Sequence, residues 1–268
     1  MPFKLKDTDC LPLVFDKEYE IINEELLAEY VGKIILGHYS HVTRIIKSLS
    51  TKPFLAEISD LDLAIQKLDN TMLTIKDIEK RDGWVFQIIS WLALFHEYKG
   101  EMFYCQQPHD APAQHGLDGI AIVLGENSQI ESIIITEDKC TINHRVIIPK
   151  VWEEFLEFEK GTFNNKLVSR ISALIENLDD GDILEANYNN IYDASLRKYR
   201  LGINRDDTYD EAPKKRSKLF KGFDDCVTGD SPHRRFGATL HKNDIRGWME
   251  LFCQKTITYL KNQTRADV

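Results

Sequence analysis

The sequence predicts an α/β (α+β) chain, with a central mixed sheet that contains a β-hairpin and is flanked by helices. Two runs rich in aliphatic and β-branched residues, "LDGIAIVLG" and "IESIIITEDK", stand on either side of "ENSQ", which is the pattern of a hairpin. The segments before and after them carry apolar residues at three- and four-residue spacing, the pattern of helices. At 268 residues the chain is long enough to bury a sizeable core as a single domain.

Residues 18–37 and 59–80 show helical spacing with scattered charge, broken by "STKP" at 50–53 and closed near "RDG" at 81–83. A strongly apolar helix follows from Gly83 to about Tyr98. Trp84, Val85, Ile88, Ile89, Trp91, Leu92 and Phe95 cover so much of its circumference that it must be central. The loop "CQQPHDAPAQHG" comes next, punctuated by Pro108, Pro112 and Gly116. Beyond the hairpin, Pro149 opens a helix that stops near Gly161. Another carries Phe163, Leu167, Val168, Ile171, Leu174 and Ile175 and ends at "NLDDGD". The remainder predicts a helix around 188–201, an irregular charged region to about 233, a short strand in "RRFGATLH", and a C-terminal helix from about Asn243 to Lys261. No internal repeat or low-complexity tract interrupts this order. The domain therefore runs over 1–268, with its core at about 81–178, a helical N-terminal elaboration over 1–80 and a C-terminal elaboration over 179–268.

Composition narrows the class. Cysteines 10, 105, 140, 226 and 253 form no CxxC pair and no metal-ligand spacing, which predicts a reducing, cytoplasmic setting. The longest apolar segment, Val85 to Phe95, is shorter than the about 20 residues a membrane helix needs. "MPFKLKDTDC" has no apolar signal core. No G-x-S-x-G, Walker loop or dinucleotide fingerprint occurs, which removes serine hydrolases, ATPases and Rossmann enzymes. The net charge of −9 opposes a strong independent grip on nucleic acid. Against that balance, "PKKRSKLFKGF" concentrates Lys214, Lys215, Arg216, Lys218 and Lys221. The run is either a solvated loop or a contact with nucleic acid or a partner.

Residue counts fix the geometry of the hairpin. A four-residue loop Glu126–Gln129 pairs Gly125 with Ile130 and, counting outward, Asp118 with Glu137. Directly opposed side chains have Cβ atoms about 4.5–5.5 Å apart, where like charges destabilise a sheet. A divalent cation between the carboxylates compensates, and acidic oxygen donors are what Mg²⁺ selects. Strand alternation puts Lys139 on the face of both acids and turns the Asp138 side chain away, leaving only its backbone carbonyl near the site. Ile120, Ile122 and Leu124 share the Asp118 side while Ala121 and Val123 take the other, so the hairpin is buried on both faces. This set suits metal-assisted phosphodiester hydrolysis. Asp118 and Glu137 hold the ion, and Lys139 orients water and offsets developing charge.

An Asp at the start of one strand and E-x-K at the end of the next, in "HGLDGIAI" and "IIITEDK", resembles the PD-(D/E)xK nuclease superfamily. Within it the layout looks most like the HamA family, the nuclease components of Hachiman antiphage systems, which act with the superfamily-2 helicase HamB. The resemblance rests on residues about 81–178, on chain length and on the domain-poor remainder. It implies a restriction-endonuclease-like core and a Mg²⁺- or Mn²⁺-dependent endonuclease with Asp118, Glu137 and Lys139 catalytic. It also implies a metal on Asp118, Glu137 and the Asp138 carbonyl, and DNA and a HamB-like helicase as partners. Two departures stand out: Gly116-Leu117 replaces the proline before Asp118, and Gln87 occupies the aligned position where many members place a Glu. A nuclease-fold subunit that docks on a partner without cutting, and a nuclease acting on RNA, share these residues.

Other candidates have ordinary explanations beside the functional one. An average chain of this length contains about one E-x-K by chance, and this one also has Glu97/Lys99 at a helix end capped by Gly100. His109, Asp110 and His115 sit in a Pro-rich loop without a ligand spacing. Trp84 and Trp91 read as core, and Lys166 and Arg170 as a solvated helix face or a phosphate contact.

Overall fold

The computed structural model describes residues 1–8, 10–37, 39–47, 58–113, 117–176, 181–209, 213–229 and 234–265. Their strands form one mixed sheet of seven. In chain order these are β1 (Phe3–Thr8), β2 (Phe15–Ile21), β3 (Met102–Cys105), β4 (Gly119–Leu124), β5 (Ile130–Lys139), β6 (Arg197–Arg205) and β7 (Arg235–His241), arranged β1-β2-β7-β6-β5-β4-β3. The β3–β4–β5 meander and the β1–β2 hairpin are antiparallel, and the strands between them are parallel. The helices are α1 (Glu24–Ile35), α2 (Tyr39–Ile46), α3 (Ile58–Leu73), α4 (Ile78–Glu97), α5 (His144–Glu159), α6 (Asn164–Glu176), α7 (Gly181–Tyr192), the short α8 (Pro213–Arg216) and α9 (Phe223–Cys226), and α10 (Ile245–Arg265).

Each face of the sheet carries its own core. Ala121, Val123 and Ile134 pack with residues of α4, α1 and α10, while Ile120, Ile122, Ile133 and Ile135 pack with α5, α6 and α9. Alternating parity along β4 and β5 thus feeds both cores, as the unbroken apolar runs predict. The central helix is α4, buried from Trp84 to Phe95. It begins at Ile78 with Asp77 as N-cap, so "RDG" lies inside it rather than closing the previous helix.

The predicted hairpin register holds from Gly119↔Thr136 to Val123↔Ser132. A bulge at Val123/Leu124 then brings Leu124 opposite Ile130, in place of the predicted Gly125.

Several expected elements differ. The helical spacing from residue 18 belongs first to β2, and the N-terminal strands join the sheet instead of a purely helical elaboration. α5 starts at His144, with Pro149 inside it. That residue is exposed, so the carbonyl its ring leaves unbonded sits on the solvent side. The helix expected over 188–201 ends at Tyr192, and β6 follows. β6 looks polar because it carries Arg197, Lys198, Arg200 and Arg205, yet all three arginines are buried. Arg197 donates to the Phe158 carbonyl at 2.7 Å, Arg200 to Ser90 Oγ at 2.9 Å and Arg205 to Glu18 at 2.6 Å. "STKP" and residues 177–180 of "NLDDGD" fall outside the described residues, and Gly181 and Asp182 begin α7. No helix among the described residues is long and apolar enough to cross a membrane, and none of the five cysteines is in a disulfide.

Candidate metal centre

Asp118 immediately precedes β4, and Glu137 and Lys139 end β5, so the hairpin register brings the three side chains together. Lys139 Nζ lies 2.5 Å from Glu137 Oε2 and 3.1 Å from Asp118 Oδ2. Asp118 is further held by the Asp138 backbone N–H, which donates to Oδ2 at 2.8 Å, and by Gln87 Nε2, which lies 3.3 Å from Oδ1 and 2.8 Å from the Asp118 carbonyl oxygen. Gln87, the uncharged departure from the expected acid, acts as an orienting amide on the first carboxylate.

The electrostatics are unbalanced. Two carboxylates meet one ammonium, and Glu137 is only 1% exposed. Burial first, then the neighbouring Asp118 charge, pushes Glu137 well above the usual carboxylate range, with Lys139 acting in the opposite direction. Burial works against the charge on Lys139, but Glu137 and Asp118 outweigh it and raise its pKa, so the side chain is a fixed cation rather than a base. Glu137 Oε1 is buried with no hydrogen-bond partner. A desolvated carboxylate oxygen left unpaired is costly, and either a proton or a cation relieves it.

No group of three or more His, Cys, Asp and Glu side chains is gathered as a metal site among the described residues. The donors at this centre are two carboxylates and the neighbouring backbone. That sparse set suits Mg²⁺, which keeps several of its waters.

A cavity of about 300 Å³ opens onto the centre, lined by Asp118, Lys139, Gln87, His109, Lys80 and Arg246, among others. Its far wall is the loop after β3. Trp84 Nε1 donates to the His109 carbonyl at 2.7 Å, Trp91 Nε1 to the Gln106 carbonyl at 2.8 Å, and the His109 N–H to Gln87 Oε1 at 3.4 Å. The tryptophans are core, as expected, at 4% and 5% exposure, but their indole N–H groups also anchor this loop. Gln87 connects the loop to Asp118. This link was not read from the sequence; the available signal was a polar residue in an otherwise apolar stretch of α4.

On the opposite face Asp138 turns away, as parity requires. It accepts from Ser90 Oγ at 2.5 Å and Arg200 Nη1 at 3.2 Å, and burial raises its pKa to about 6 against the lowering effect of Arg200. Its register partner is Gly202, where a Cβ would lie 2.0 Å from Asp138 Oδ1 and 2.5 Å from Ser90 Oγ. A glycine inside a strand marks such a close approach. Where β5 ends, Asn204 accepts from the Thr141 N–H at 2.7 Å and donates to its carbonyl at 3.0 Å, fixing the chain just beyond Lys139.

The basic run divides. Lys215, Lys218 and Lys221 are exposed, and the side chain of Lys214 lies outside the described residues. Arg216 corrects the expectation of a nucleic-acid or partner contact. It is 4% exposed and pairs with Glu18 and, at 3.5 Å, with Asp16, so its charge is consumed inside the fold. Asp110 is exposed, and His115 lies outside the described residues. Lys166 is exposed with its ammonium 5.4 Å from the Phe163 ring centre, and Arg170 lines a second cavity. Glu97 of the other E-x-K pairs with Lys17 at 2.9 Å, beside Gly100 at φ +99°.

Comparisons of the chain with protein-family models, with curated proteins and with solved structures each find no match.

Proposed function

We propose that the chain is a metal-dependent DNA endonuclease of the PD-(D/E)xK type with a restriction-endonuclease-like core, acting in antiphage defence beside a HamB-like superfamily-2 helicase. One observation carries this reading. Asp118, Glu137 and Lys139 converge at the tip of a buried hairpin, with Glu137 Oε1 desolvated and unpartnered.

Asp118 and Glu137, with the Asp138 backbone carbonyl, would hold Mg²⁺ or Mn²⁺. When bound, the ion supplies charge that polarises a phosphoryl oxygen and lowers the pKa of a water. Gln87 and the Asp138 N–H keep Asp118 aimed at the centre, so the first ligand needs no reorganisation. Lys139 would orient the attacking water with its ammonium and offset charge on the phosphorus oxygens. The acidic surface fits weak binding by the chain alone, with strand delivery left to the helicase.

Plasmid nicking with Mg²⁺ or Mn²⁺, with and without the helicase, tests the assignment. Glu137→Ala and Lys139→Ala should each lower the rate by about 10²–10³-fold or more, the scale of losing a preorganised charge. Nicking that survives both substitutions overturns the site. Cleavage of RNA but not DNA by the same residues would move the substrate class. A wild type that cuts neither yet binds the helicase would make the chain a docking subunit.

A further inference from the structure

A second cavity, of about 780 Å³, lies on the other side of the loop that walls the metal centre, and His109 lines both. Its volume falls in the about 300–1,000 Å³ range of small-molecule sites. Its chemistry is mixed in a particular way. Trp91 and Tyr104 contribute aromatic wall, and Lys47 and Arg170 contribute cations from two different helical segments. Lys47 Nζ donates to the Phe103 carbonyl at 3.1 Å and sits 5.2 Å from the Tyr104 ring centre, which keeps the ammonium at the cavity while leaving further N–H donors. Gln106, also in the lining, has a buried Oε1 with no hydrogen-bond partner. An aromatic cleft lined, among the described residues, by two cations against the single acid Asp110, with the Gln106 amide in its wall, is complementary to a planar base with a polar edge and an anionic backbone.

We propose, on the reading of Asp118–Glu137–Lys139 as a phosphodiester-cleaving centre, that this cavity receives an unpaired base of the strand being cut. The Gln106 side-chain amide hydrogen-bonds the edge of the base, and Lys47 and Arg170 meet the backbone. A base inside a duplex stack cannot enter, so the enzyme takes single-stranded or locally opened nucleic acid. The loop from Gln106 to His109, pinned by Trp84, Trp91 and Gln87, spaces the held base from the scissile phosphate.

The test is fluorescence anisotropy with the full chain at low salt and without metal. Its probes are a labelled oligodeoxyadenylate, its duplex with oligothymidylate, and an oligoriboadenylate. The deoxy strand should bind about tenfold more tightly than the duplex. Arg170→Glu and Gln106→Leu should each weaken strand binding by about fivefold or more, the scale of losing one base contact, with duplex binding unchanged. Equal losses with the ribo strand would extend the site to unpaired nucleic acid of either sugar. Duplex binding as tight as strand binding, variants that bind like wild type, or no strand binding by the wild type would each overturn the proposal. Cleavage does not enter these affinities. A protein that captures strands in this way but never nicks would sink the catalytic reading alone, and loss of base capture beside intact Glu137-dependent nicking would sink only the cavity.

Discussion

Two acidic clusters sit on the sheet, and they resolve the same conflict in opposite ways. At the β4–β5 tip, Asp118 and Glu137 share the single ammonium of Lys139, which is 30% exposed, and a cavity opens beside them. At the β2–β7 junction, Asp16 and Glu18 are met by two guanidinium groups, with Arg205 at 2.6 Å from Glu18 and Arg216 reaching both acids. Thr8 and Thr239 add hydrogen bonds to Asp16 at 2.6 and 3.3 Å. Gly237, where a Cβ would lie 2.5 Å from both Asp16 Oδ1 and the Phe220 ring, closes the space above it. Atoms without partners occur in both clusters. In the second they are of both kinds, an oxygen of Asp16 and nitrogens of Arg205 and Arg216, whereas in the first the orphan is a carboxylate oxygen of Glu137. The second cluster is charge-balanced and sealed. The first sets two acids against one ammonium and is open, and with the Glu137 pKa raised an ion there would compete with a proton.

The sharpest way to break this comparison is to remove one cation from each cluster and measure stability by chemical denaturation. Arg216→Ala should cost about 3–5 kcal/mol, because it strands buried carboxylates. Lys139→Ala should cost only about 1 kcal/mol, because Glu137, whose pKa is already raised, can take up a proton in place of the lost ammonium. Equal costs would mean that both clusters are structural. Metal should separate them next. Mn²⁺ at about a hundredfold excess over its dissociation constant should stabilise the wild type by about 2.7 kcal/mol, read as a rise in Tm, and do nothing for Glu137→Ala. The Mn²⁺ effect should strengthen as pH rises, because Glu137 must lose the proton that its raised pKa retains.

The smallest effect belongs to Asp16, whose pKa burial lifts to about 6 from 3.8. Its protonated form is favoured by folding, so its contribution to stability is present below the ordinary carboxylate value and is lost as pH climbs through 6. Asp16→Asn should therefore gain on the wild type between pH 4 and 7, by on the order of 1 kcal/mol, in a series of denaturant titrations. A constant difference across that range would show that Arg216 neutralises Asp16 more fully than the burial suggests.

What was legible in the sequence follows from where the physics is local. Hairpin register needs only a loop length and strand parity, so Asp118, Glu137 and Lys139 could be brought together by counting residues, and Asp138 could be turned away. The turn itself was not legible: Leu124, not Gly125, faces Ile130, and the bulge at Val123/Leu124 adds the one residue that restores the counted pairing from Val123↔Ser132 down to the site. β6 was hidden because its arginines are hydrogen-bonded by Phe158 and Ser90 and paired with Asp138 and Glu18, partners contributed by elements far away in sequence. Arg216 was misread for the same reason, since a charge run looks solvated until Glu18 is known to lie against it. Gln87 was visible as a departure, but its grip on Asp118 and on the His109 loop depends on tertiary approach.

Lys139 stands two positions from Glu137 on one strand, so the acid pair carries its own counter-ion wherever the chain goes. On the proposed reading, folding and loading are thereby separable events: the polypeptide would finish its architecture without divalent ions and take them up afterwards, unlike zinc-dependent modules that remain unfolded until metal arrives.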